Sequence, residues 1–529
     1  MKMVKSLLLG SAAGFVAIAG AQAADLPVKA KPVEYVKVCT LYGAGFYYVP
    51  GTDTCLKLGA ILRFQIEGSD VGGGGLVFGN GAPALFTRTD TPNLSHRVRA
   101  DLTWDSRTQT EYGTLRMYFR GGWEQTTPNV PDETVHWDRG FIQFAGFTVG
   151  RSTSFFDFLS LAPYSYGNNG RISTDMGATG QMVFGYTAQL GNGFSASIAI
   201  EDGGNAAAGA AGNNSRARGR SVLDLDGVVA GGIGNTVIAF ANATSTLTPD
   251  NGSSDVPDIV GNIRVDQAWG SAQLSGALHL NQAGYYSAFG AGCVPGNSTR
   301  CDHPENEIGW AVAGGIIVNL PMIAPGDKIG AMASFSEGAI GYTARGLGAT
   351  RLWHHGDSNG GLVSSYGVGF AGDGVFRNPG AIPGYAGQIE LTTAFSLTAF
   401  VEHFWTPQLR TSVYGGTTFV EYNDTAKQLI CPAGPGPFAV PVIPVGTSGL
   451  GVTNCNPDHH IWAVGSRTQW NPHPYLDIGI DVAWAHLDTA FAGAGVTTAA
   501  QGAHPAQIVN IEDQDTLTVL GRVQYNFIP

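Results

Sequence analysis

The sequence predicts an all-β protein, a transmembrane antiparallel β-barrel of about 16 strands with one loop folded inward as a constriction. Three observations support this fold class. Segments of alternating apolar and polar residues recur along the chain, and short turns alternate with long polar loops. Only 13% of the 529 residues are charged, against about 25% in soluble proteins, although the mean hydropathy is close to zero at +0.03. Alternation with a period of two and asymmetric connections are typical of barrels in the bacterial outer membrane.

Residues 1–23 are predicted to be a secretory signal peptide. Lys2 and Lys5 precede the apolar run from Leu7 to Ala19, and Ala21-Gln22-Ala23 provides the small residues of a cleavage site. A membrane anchor is the alternative, but the run is shorter than the roughly 20 residues that a spanning helix needs. Residues 24–55 are predicted to form a basic periplasmic lead-in and a cysteine-bounded loop, and residues 56–529 the barrel.

The six cysteines form three local pairs, which we interpret as candidate disulfides. The pairs are Cys39 with Cys55, Cys293 with Cys301, and Cys431 with Cys455. An exported chain meets an oxidising compartment, where cysteines that close short loops commonly form disulfides. Metal binding is the alternative, but no pair has the Cys-x-x-Cys spacing that zinc sites favour.

The first predicted wall strand shows the alternation clearly. Between Leu56 and Glu67 one face is apolar, whereas the other face includes Lys57, Arg63 and Gln65. A half-buried strand of a soluble sheet would show the same pattern, so the prediction depends on repetition. Segments 94–104 and 114–120 repeat the pattern and add further arginines to the polar face, at Arg97, Arg99, Arg116 and Arg120.

Thirteen more wall segments are predicted, mostly in pairs joined by short turns. They are 135–144, 147–151, 181–189, 194–201, 259–266, 272–280, 309–320, 328–337, 389–403, 409–421, 461–470, 476–485 and 516–527. Residues 202–257 are rich in Gly, Ala, Asn and Ser, and we interpret them as a long loop with its own hairpin at 222–229 and 236–241. Two additional wall strands are the alternative. The resulting number of about 16 strands leaves room for an aqueous channel.

A long loop after the fifth strand is the predicted constriction. It covers about 151–180, is rich in aromatic and polar residues, and carries Asp157 and Asp175. We expect it to fold into the barrel and to face the arginines of the first three strands. Cations on one wall with carboxylates opposite would create a transverse field that orients dipolar solutes and water. Ion pairing on an exposed sheet face is the alternative role of the arginines. The ion preference stays open.

Segments spread from end to end make the chain resemble the alphaproteobacterial porins of the rhizobial type. These segments are residues 24–32, VCTLYGAGFYYVPGTDTC at 38–55, residues 141–157, residues 263–273 and GRVQYNF at 521–527. The resemblance implies a sixteen-stranded barrel, a homotrimer and passive diffusion of small hydrophilic solutes. It also implies that Arg151 to about Gly180 is the constriction loop and that Arg63, Arg97, Arg99, Arg116 and Arg120 lie opposite. The insertion near 202–257 and the long loops near 350 and 440 depart from the family pattern.

The predicted function is therefore an outer-membrane porin, a water-filled channel for passive diffusion of small hydrophilic solutes and ions, and not an enzyme. A substrate-selective channel for sugars or organic acids is the alternative. Its aromatic ladder would use Tyr118, Phe141, Phe155, Phe156, Phe158, Tyr164 and Tyr166, although the three phenylalanines of the loop could instead anchor it to the wall. No serine, histidine and acid set supports a lipase, and the many polar inward positions disfavour a closed structural barrel.

The expected location is the outer membrane, reached through the periplasm. The expected partners are outer-membrane lipid and lipopolysaccharide, further copies of the chain in a homotrimer, and small hydrophilic solutes. No nucleic-acid partner, cofactor or metal is expected. The adjacent histidines His354-His355 and His459-His460 point apart in an extended chain, which disfavours chelation by either pair.

Overall fold

The computed structural model describes most of the chain between residues 38 and 527. The described ranges are 38–69, 94–127, 134–167, 180–202, 222–225, 256–284, 286, 302–344, 353–355, 358–359, 362–363, 365–369, 371–430, 456–490, 495–498 and 507–527. The predicted signal peptide and residues 24–37 of the predicted lead-in lie outside these ranges.

Sixteen strands form the wall, numbered here in chain order. They are β1 (Thr54–Ser69), β2 (Leu94–Thr110), β3 (Gly113–Thr127), β4 (Thr134–Phe144), β5 (Phe147–Ser152), β6 (Gln181–Gly191), β7 (Phe194–Glu201), β8 (Asp258–Gln267), β9 (Gly270–Asn281), β10 (Glu307–Asn319), β11 (Lys328–Glu337), β12 (Glu390–Thr406), β13 (Leu409–Tyr422), β14 (His459–His473), β15 (Leu476–Asp488) and β16 (Gln514–Asn526). Each corresponds to one predicted wall segment, although several strands are longer than predicted.

The wall is a closed antiparallel barrel. Every strand pairs with the next one along the chain, and β16 returns to pair with β1, from Ile61 opposite Asn526 to Ser69 opposite Thr518. Closure leaves no wall strand with an unpaired edge, which is the condition for β-structure in lipid. The predicted fold class and strand number are confirmed.

Alternation along the strands separates an apolar outer face from a polar inner face. On β1, for example, Leu62 points outward and is 57% exposed, whereas the neighbouring Gln65 points inward and is 3% exposed. Tryptophans on the outer face lie near both ends of the wall, at Trp104, Trp405 and Trp470 towards one end and at Trp137 and Trp484 towards the other. Two aromatic girdles with an apolar band between them are typical of a barrel embedded in a membrane.

The two ends of the barrel differ in the length of their connections. At one end, six of the seven connections contain two residues, such as Ala145-Gly146 between β4 and β5. These two residues have positive φ angles of 49° and 87°, as a type I′ hairpin turn requires. At the other end the connections are mostly long. In outer-membrane barrels the short turns are periplasmic and the long loops external, and the two ends are named accordingly below.

Residues 202–257 contribute no strand to the wall among their described residues. Strand β7 pairs directly with β8, with Glu201 opposite Asp258, so the interpretation of this region as a loop is correct. The short strand Val222–Asp224 pairs in parallel with Gly374–Phe376, which in turn pairs with the start of β12. The second half of the predicted hairpin, 236–241, lies outside the described residues.

Several small elements lie in the external segments. They are the strands Trp353–His355, Ser358–Asn359, Leu362–Val363, Ser365–Gly369, Gly495–Thr498 and Gln507–Ile511, the 3₁₀ helix Ile340–Tyr342 and helix α1, Asp424–Ile430. Helix α1 lies in a segment predicted to be loop. Its N-terminus is capped by Asn423, whose side-chain oxygen accepts a hydrogen bond from the Ala426 N–H at 2.7 Å. Within the described ranges, no helix combines the length and the apolar character needed to cross a membrane.

The Cys39–Cys55 disulfide joins the periplasmic segment to the wall. This predicted pair is present in the structure, and Cys55 lies within β1 itself. The short strand Tyr47–Tyr48 pairs with β1 beside it, and the 3₁₀ helix Thr40–Tyr42 follows Cys39 directly. The other two predicted pairs, Cys293 with Cys301 and Cys431 with Cys455, lie outside the described residues.

The outward position of Leu62 allows a test of the membrane-facing surface. Replacing Leu62 by Arg would place a charge in the apolar band, and we expect it to lower the free energy of unfolding by about 2–4 kcal/mol. The matched control is Ile61→Arg, because Ile61 is the next residue on β1, faces the lumen and lies opposite Asp101. Urea unfolding of both variants in lipid vesicles measures the difference. Equal costs for the two substitutions would contradict the assigned faces.

Candidate functional site

The loop after β5 lies inside the barrel. Its first turn is held by side chains of three strands that follow it in the wall. The Phe155 N–H donates a hydrogen bond to Glu201 of β7 at 2.7 Å, and the Phe155 carbonyl accepts one from Asn262 of β8 at 2.6 Å. Gln273 of β9 places its amide nitrogen 3.3–3.4 Å from the carbonyl oxygens of residues 155, 156 and 157. The loop therefore begins its path along the inner surface of β7 to β9.

Aromatic side chains attach the middle of the loop to the wall. Phe156 is fully buried and meets the ring of Tyr342 edge to face at 4.9 Å. Its cluster also includes Val260, Ala277, Ala311, Ala313, Met332, Phe400 and Tyr414. Further along, Tyr164 stacks on Phe400 of β12 with ring centroids 3.5 Å apart. Truncation of a buried phenylalanine commonly costs about 3–5 kcal/mol, so these contacts hold the loop firmly.

Tyr166 attaches the last described part of the loop to β15 and β16. Its N–H donates to Asp481 at 2.5 Å and its hydroxyl donates to Asp477 at 2.6 Å. Its carbonyl accepts a hydrogen bond from Arg522 at 3.0 Å, and the same guanidinium lies 4.0 Å from the centre of the Tyr166 ring. Residues 153–167 thus follow the inner wall from β7 to β16.

The two loop tyrosines are neutral at physiological pH. Burial, reinforced by the Glu402 carboxylate, raises the pKa of Tyr164 to about 12. Burial and the adjacent Asp477 carboxylate raise the pKa of Tyr166 still further. A neutral phenol keeps its proton, and the Tyr166 hydroxyl can therefore donate to Asp477 as the geometry requires.

The wall that the loop leaves uncovered carries a continuous band of arginines. Arg63 of β1 lies directly opposite Arg99 of β2, and Gln65 of β1 lies opposite Arg97. Arg120 of β3 lies opposite Arg139 of β4. Four of the five predicted wall arginines, Arg63, Arg97, Arg99 and Arg120, therefore lie together on neighbouring strands.

Carboxylates on the same wall pair with most of this band. Arg99 lies 3.0 Å from Glu124, and Arg120 lies 2.9 Å from Asp101 and 3.5 Å from Asp138. Buried like charges repel strongly unless such partners offset them. The sequence predicts compensating carboxylates mainly on the opposite loop. The structure instead places several of them beside the arginines, because Asp101 has the same inward parity on β2 as Arg97 and Arg99.

Arg63 differs from its neighbours in its partners. Its guanidinium donates to the side-chain oxygen of Gln524 at 2.6 Å, and no carboxylate in the described part of the chain forms an ion pair with it. Gln524 is a neutral acceptor, so it satisfies a hydrogen bond without offsetting the charge. The band therefore has uncompensated positive charge at Arg63.

Arg116 lies apart from the band, towards the periplasmic end. It forms a bidentate pair with Asp105 at 2.9–3.0 Å, and Arg107 shares the same carboxylate. Its guanidinium also lies over the stacked rings of Tyr118 and Phe141. The structure therefore brings Arg116 into a different polar cluster from the other four predicted arginines.

A β-bulge adds an arginine and a carboxylate that the alternation pattern does not reveal. The register between β3 and β4 shifts after Arg120, so that Arg139 and Trp137 face consecutive residues of β3 and Asp138 is the extra residue. Both Asp138 and Arg139 consequently face the lumen. A strict period of two places only one of two neighbouring residues on each face, so sequence reasoning missed this pair.

The two predicted loop carboxylates have different outcomes. Asp157 follows the buried Phe156 on the loop, and its carboxylate interacts electrostatically with the Arg139 guanidinium. Asp175 lies outside the described residues. Sequence reasoning also missed a set of inward charged residues on the wall beneath the loop, which includes Glu402, Arg467, Asp477, Asp481 and Arg522. The strands there carry few charges, and each of these residues has the pattern of an ordinary polar position.

Comparisons with known proteins agree with this architecture. The closed barrel with an apolar outer band belongs to the class of bacterial outer-membrane β-barrels. A family model described as the porin subfamily matches residues 25–520, and the chain belongs to this subfamily. The resemblance to porins is confirmed, as is the location in the bacterial outer membrane.

Two curated relatives come from Brucella. The chain is 34% identical to porin Omp2a of Brucella ovis over 222 residues, which are 38% of this chain and 60% of that protein. It is 30% identical to porin Omp2b of Brucella canis over 279 residues, which are 51% of this chain and 64% of that protein. The matches thus span less than two thirds of these relatives.

A solved structure supports the fold alone. The outer membrane channel DcaP of Acinetobacter baumannii superposes with a TM-score of 0.52 at 13% sequence identity. The superposition covers 91% of this chain and 99% of that one.

Asp481 allows a test of how the loop is held. Replacing Asp481 by Ala removes the acceptor of the Tyr166 N–H and of the Tyr414 hydroxyl, and hydrogen bonds to charged groups contribute about 1.5–3 kcal/mol each. We expect chymotrypsin to cleave the folded variant within the loop much faster than the parent protein. The control is Asp53→Ala, which removes the same charge from an exposed turn far from the loop. Identical cleavage of both variants would contradict the anchoring role of Asp481.

Proposed function

We propose that this protein is a porin that lets small hydrophilic solutes and ions diffuse passively through a water-filled channel, and that it is a channel and not an enzyme. The observation that carries the proposal is the position of residues 153–167, which line one side of the lumen while the arginine band lines the other. A closed barrel of sixteen strands is wide enough for an aqueous channel, and the loop narrows it.

In the proposed mechanism, the constriction sorts solutes by size and by charge. The loop reduces the cross-section, and the guanidinium groups of Arg63, Arg97, Arg99 and Arg120 present positive charge to whatever passes. Carboxylates near the loop, among them Asp157, complete a transverse field that orders water and dipolar solutes. An apolar solute must disrupt this ordered water, whereas a polar solute replaces it. We include Arg116 as a second basic position nearer the periplasmic mouth.

The alternative of a substrate-selective channel receives less support from the aromatic residues. A stacking ladder needs ring faces that are open to the lumen. Phe156 is fully buried, and Tyr164 has one face covered by Phe400 and its side chain mostly buried. These contacts favour a role for the aromatic residues as anchors of the loop. We therefore propose general diffusion as the function.

Further parts of the proposal concern assembly and the extents of individual segments. We propose a homotrimer, with residues 1–23 removed as a signal peptide and lipid and lipopolysaccharide in contact with the outer face. Gly276 and Gly521 lie on that outer face, where small residues allow barrels to approach closely. Residues 24–55 would form the periplasmic segment, and the constriction loop would extend over about 151–180.

Single-channel recording in a planar lipid bilayer tests the proposed channel. Purified protein that shows the heat-dependent gel mobility of a folded barrel should insert with stepwise, ohmic conductance. Closures in three equal steps are expected from a trimer, whereas single steps would limit the assembly to independent barrels. Absence of conductance from folded protein would overturn the diffusion function and leave a closed barrel.

Substitution of Arg63 tests the contribution of the arginine band to ion selection. We expect Arg63→Gln to move the reversal potential in a salt gradient towards cation preference. A unit charge at about 4 Å contributes about 1 kcal/mol even in bulk water, so the anion-to-cation permeability ratio should fall about fivefold.

The matched control for this experiment is Arg107→Gln. Arg107 is paired with Asp105 at 2.7 Å near the periplasmic end, where solvent screens a lost charge more effectively. We expect a clearly smaller shift of the reversal potential. Equal shifts for the two variants would assign ion selection to the net charge of the lumen and remove the special role of Arg63.

A further inference from the structure

A cluster of histidines and aspartates lies at the external rim of β14 to β16, on the outer face of the barrel. We call it the rim cluster, and it consists of His460, His486, Asp488, Asp513 and Asp515. His486 and Asp488 share the outward parity of Trp484 on β15. The Trp462 ring lies 5.5 Å from the His486 ring and 4.5 Å from that of Trp484. The cluster therefore lies just outside the external aromatic girdle, away from the lumen.

The rim cluster concentrates negative charge that no lysine or arginine offsets within the described part of the chain. Asp488 and Asp515 pair with histidines, and Asp513 accepts a hydrogen bond from the Thr489 N–H. The three carboxylates together carry a formal charge of −3. Such a concentration of carboxylates at one place favours the binding of a cation.

Hydrogen bonds orient the histidine and one carboxylate of the cluster. The Nδ1 atom of His486 lies 2.8 Å from an Asp515 oxygen, and His460 Nδ1 lies 2.7 Å from Oδ2 of Asp488. A carboxylate that accepts the Nδ1 proton fixes the tautomer of a histidine and leaves Nε2 as a lone-pair donor, the arrangement commonly found behind metal-binding histidines. Asp515 thus orients His486, and His460 orients Asp488, each through an atom that the metal would not use.

The atoms that remain available point at one another. His486 Nε2 lies 3.3 Å from Oδ1 of Asp488. The cluster of His486, Asp488 and Asp513 offers one ligand atom from each residue, all within 4.8 Å of one another. Two lone pairs at 3.3 Å need either a proton or a cation between them. Tetrahedral zinc with metal–ligand distances of about 2.0–2.1 Å has ligand atoms separated by about 3.3–3.4 Å. A small movement of the Asp513 carboxylate towards His486 and Asp488 would therefore provide three of the four ligands of such a site.

We propose that the rim cluster binds one divalent transition-metal ion, of which Zn²⁺ is the best match, through His486 Nε2, Asp488 and Asp513. A mixture of imidazole and carboxylate donors suits Zn²⁺ better than Ca²⁺ or Mg²⁺, which prefer oxygen ligands alone. Water completes the coordination. No metal site is predicted from the sequence, because the cysteine pairs lack zinc-site spacing, the adjacent histidines point apart, and the residues of the rim cluster are distant in sequence.

The site would fasten the last external segment of the chain to the wall. Asp513 lies just before β16, whereas His486 and Asp488 lie at the end of β15. The Thr489 N–H already donates to Oδ1 of Asp513 at 2.8 Å, so the two ends of residues 489–513 are adjacent and the second oxygen of Asp513 is left for a metal. A bound ion would add to this hydrogen bond a bridge from Asp513 on one side of the junction to His486 and Asp488 on the other.

Isothermal titration calorimetry of the full chain, folded in detergent and stripped with EDTA, tests the proposal with Zn²⁺ as the only probe. We expect one saturable site per chain at pH 7.5. His486→Gln and Asp513→Asn should each weaken binding at least tenfold. The matched control is His403→Gln, because His403 forms a similar pair with Asp327 at 2.7 Å at the periplasmic end and belongs to no group of three potential metal ligands among the described residues.

Folding and coordination are checked independently. Each variant should keep the heat-dependent gel mobility of the folded barrel, and X-ray absorption of the zinc-loaded parent should give a shell of nitrogen and oxygen atoms at about 2.0–2.1 Å. A protein that binds no Zn²⁺, or that binds it unchanged in both rim variants, overturns the proposal and identifies the cluster as a histidine–aspartate ion-pair network with protonated His486. Conductance is not part of this test, since the site faces away from the lumen.

Discussion

The need to hydrogen-bond every backbone amide in lipid is the constraint on which this structure depends. Water is absent from the bilayer core, so an open sheet edge there would leave unpaired N–H and C=O groups at a cost of several kcal/mol each. Pairing of β16 with β1 removes the last such edge. Closure of sixteen strands then fixes a wide interior, and both the inward loop and the arginine band are consequences of having that interior to fill.

The interior is filled in two chemically different ways. Along β7 to β16 the loop is packed as a protein core, with Phe156 buried and the backbone hydrogen-bonded to Asn262 and Asp481. Along β1 to β4 the inner wall instead carries arginines, most of which pair with carboxylates of the same wall. Residues 153–167 therefore fill the interior along β7 to β16, whereas the interior along the arginine band remains open to solvent. In the proposed function, this arrangement narrows the lumen beside the arginines.

Sequence reasoning recovered the wall because a period of two, repeated sixteen times, is a strong signal. It also identified the inward loop and the arginines of β1 to β3, which obey that period. It missed Asp138 and Arg139, because a bulge breaks the parity, and helix α1, because seven residues are too few for a helical period. The sequence also could not predict which carboxylates pair with the arginines. Which carboxylate meets which guanidinium depends on register between strands, and register is set by the closed barrel as a whole.

The seam between β1 and β16 has a consequence for the order in which the protein matures. Arg63 and Gln524 are hydrogen-bonded although 461 residues separate them in sequence. The first strand synthesised cannot find its second partner until the last strand has been made, and long-range pairing of this kind is slow. During that interval the amphipathic strands would associate with any other exposed strand edge. The chain therefore remains open to such association until its thirteen-residue strand β16 allows the cylinder to close.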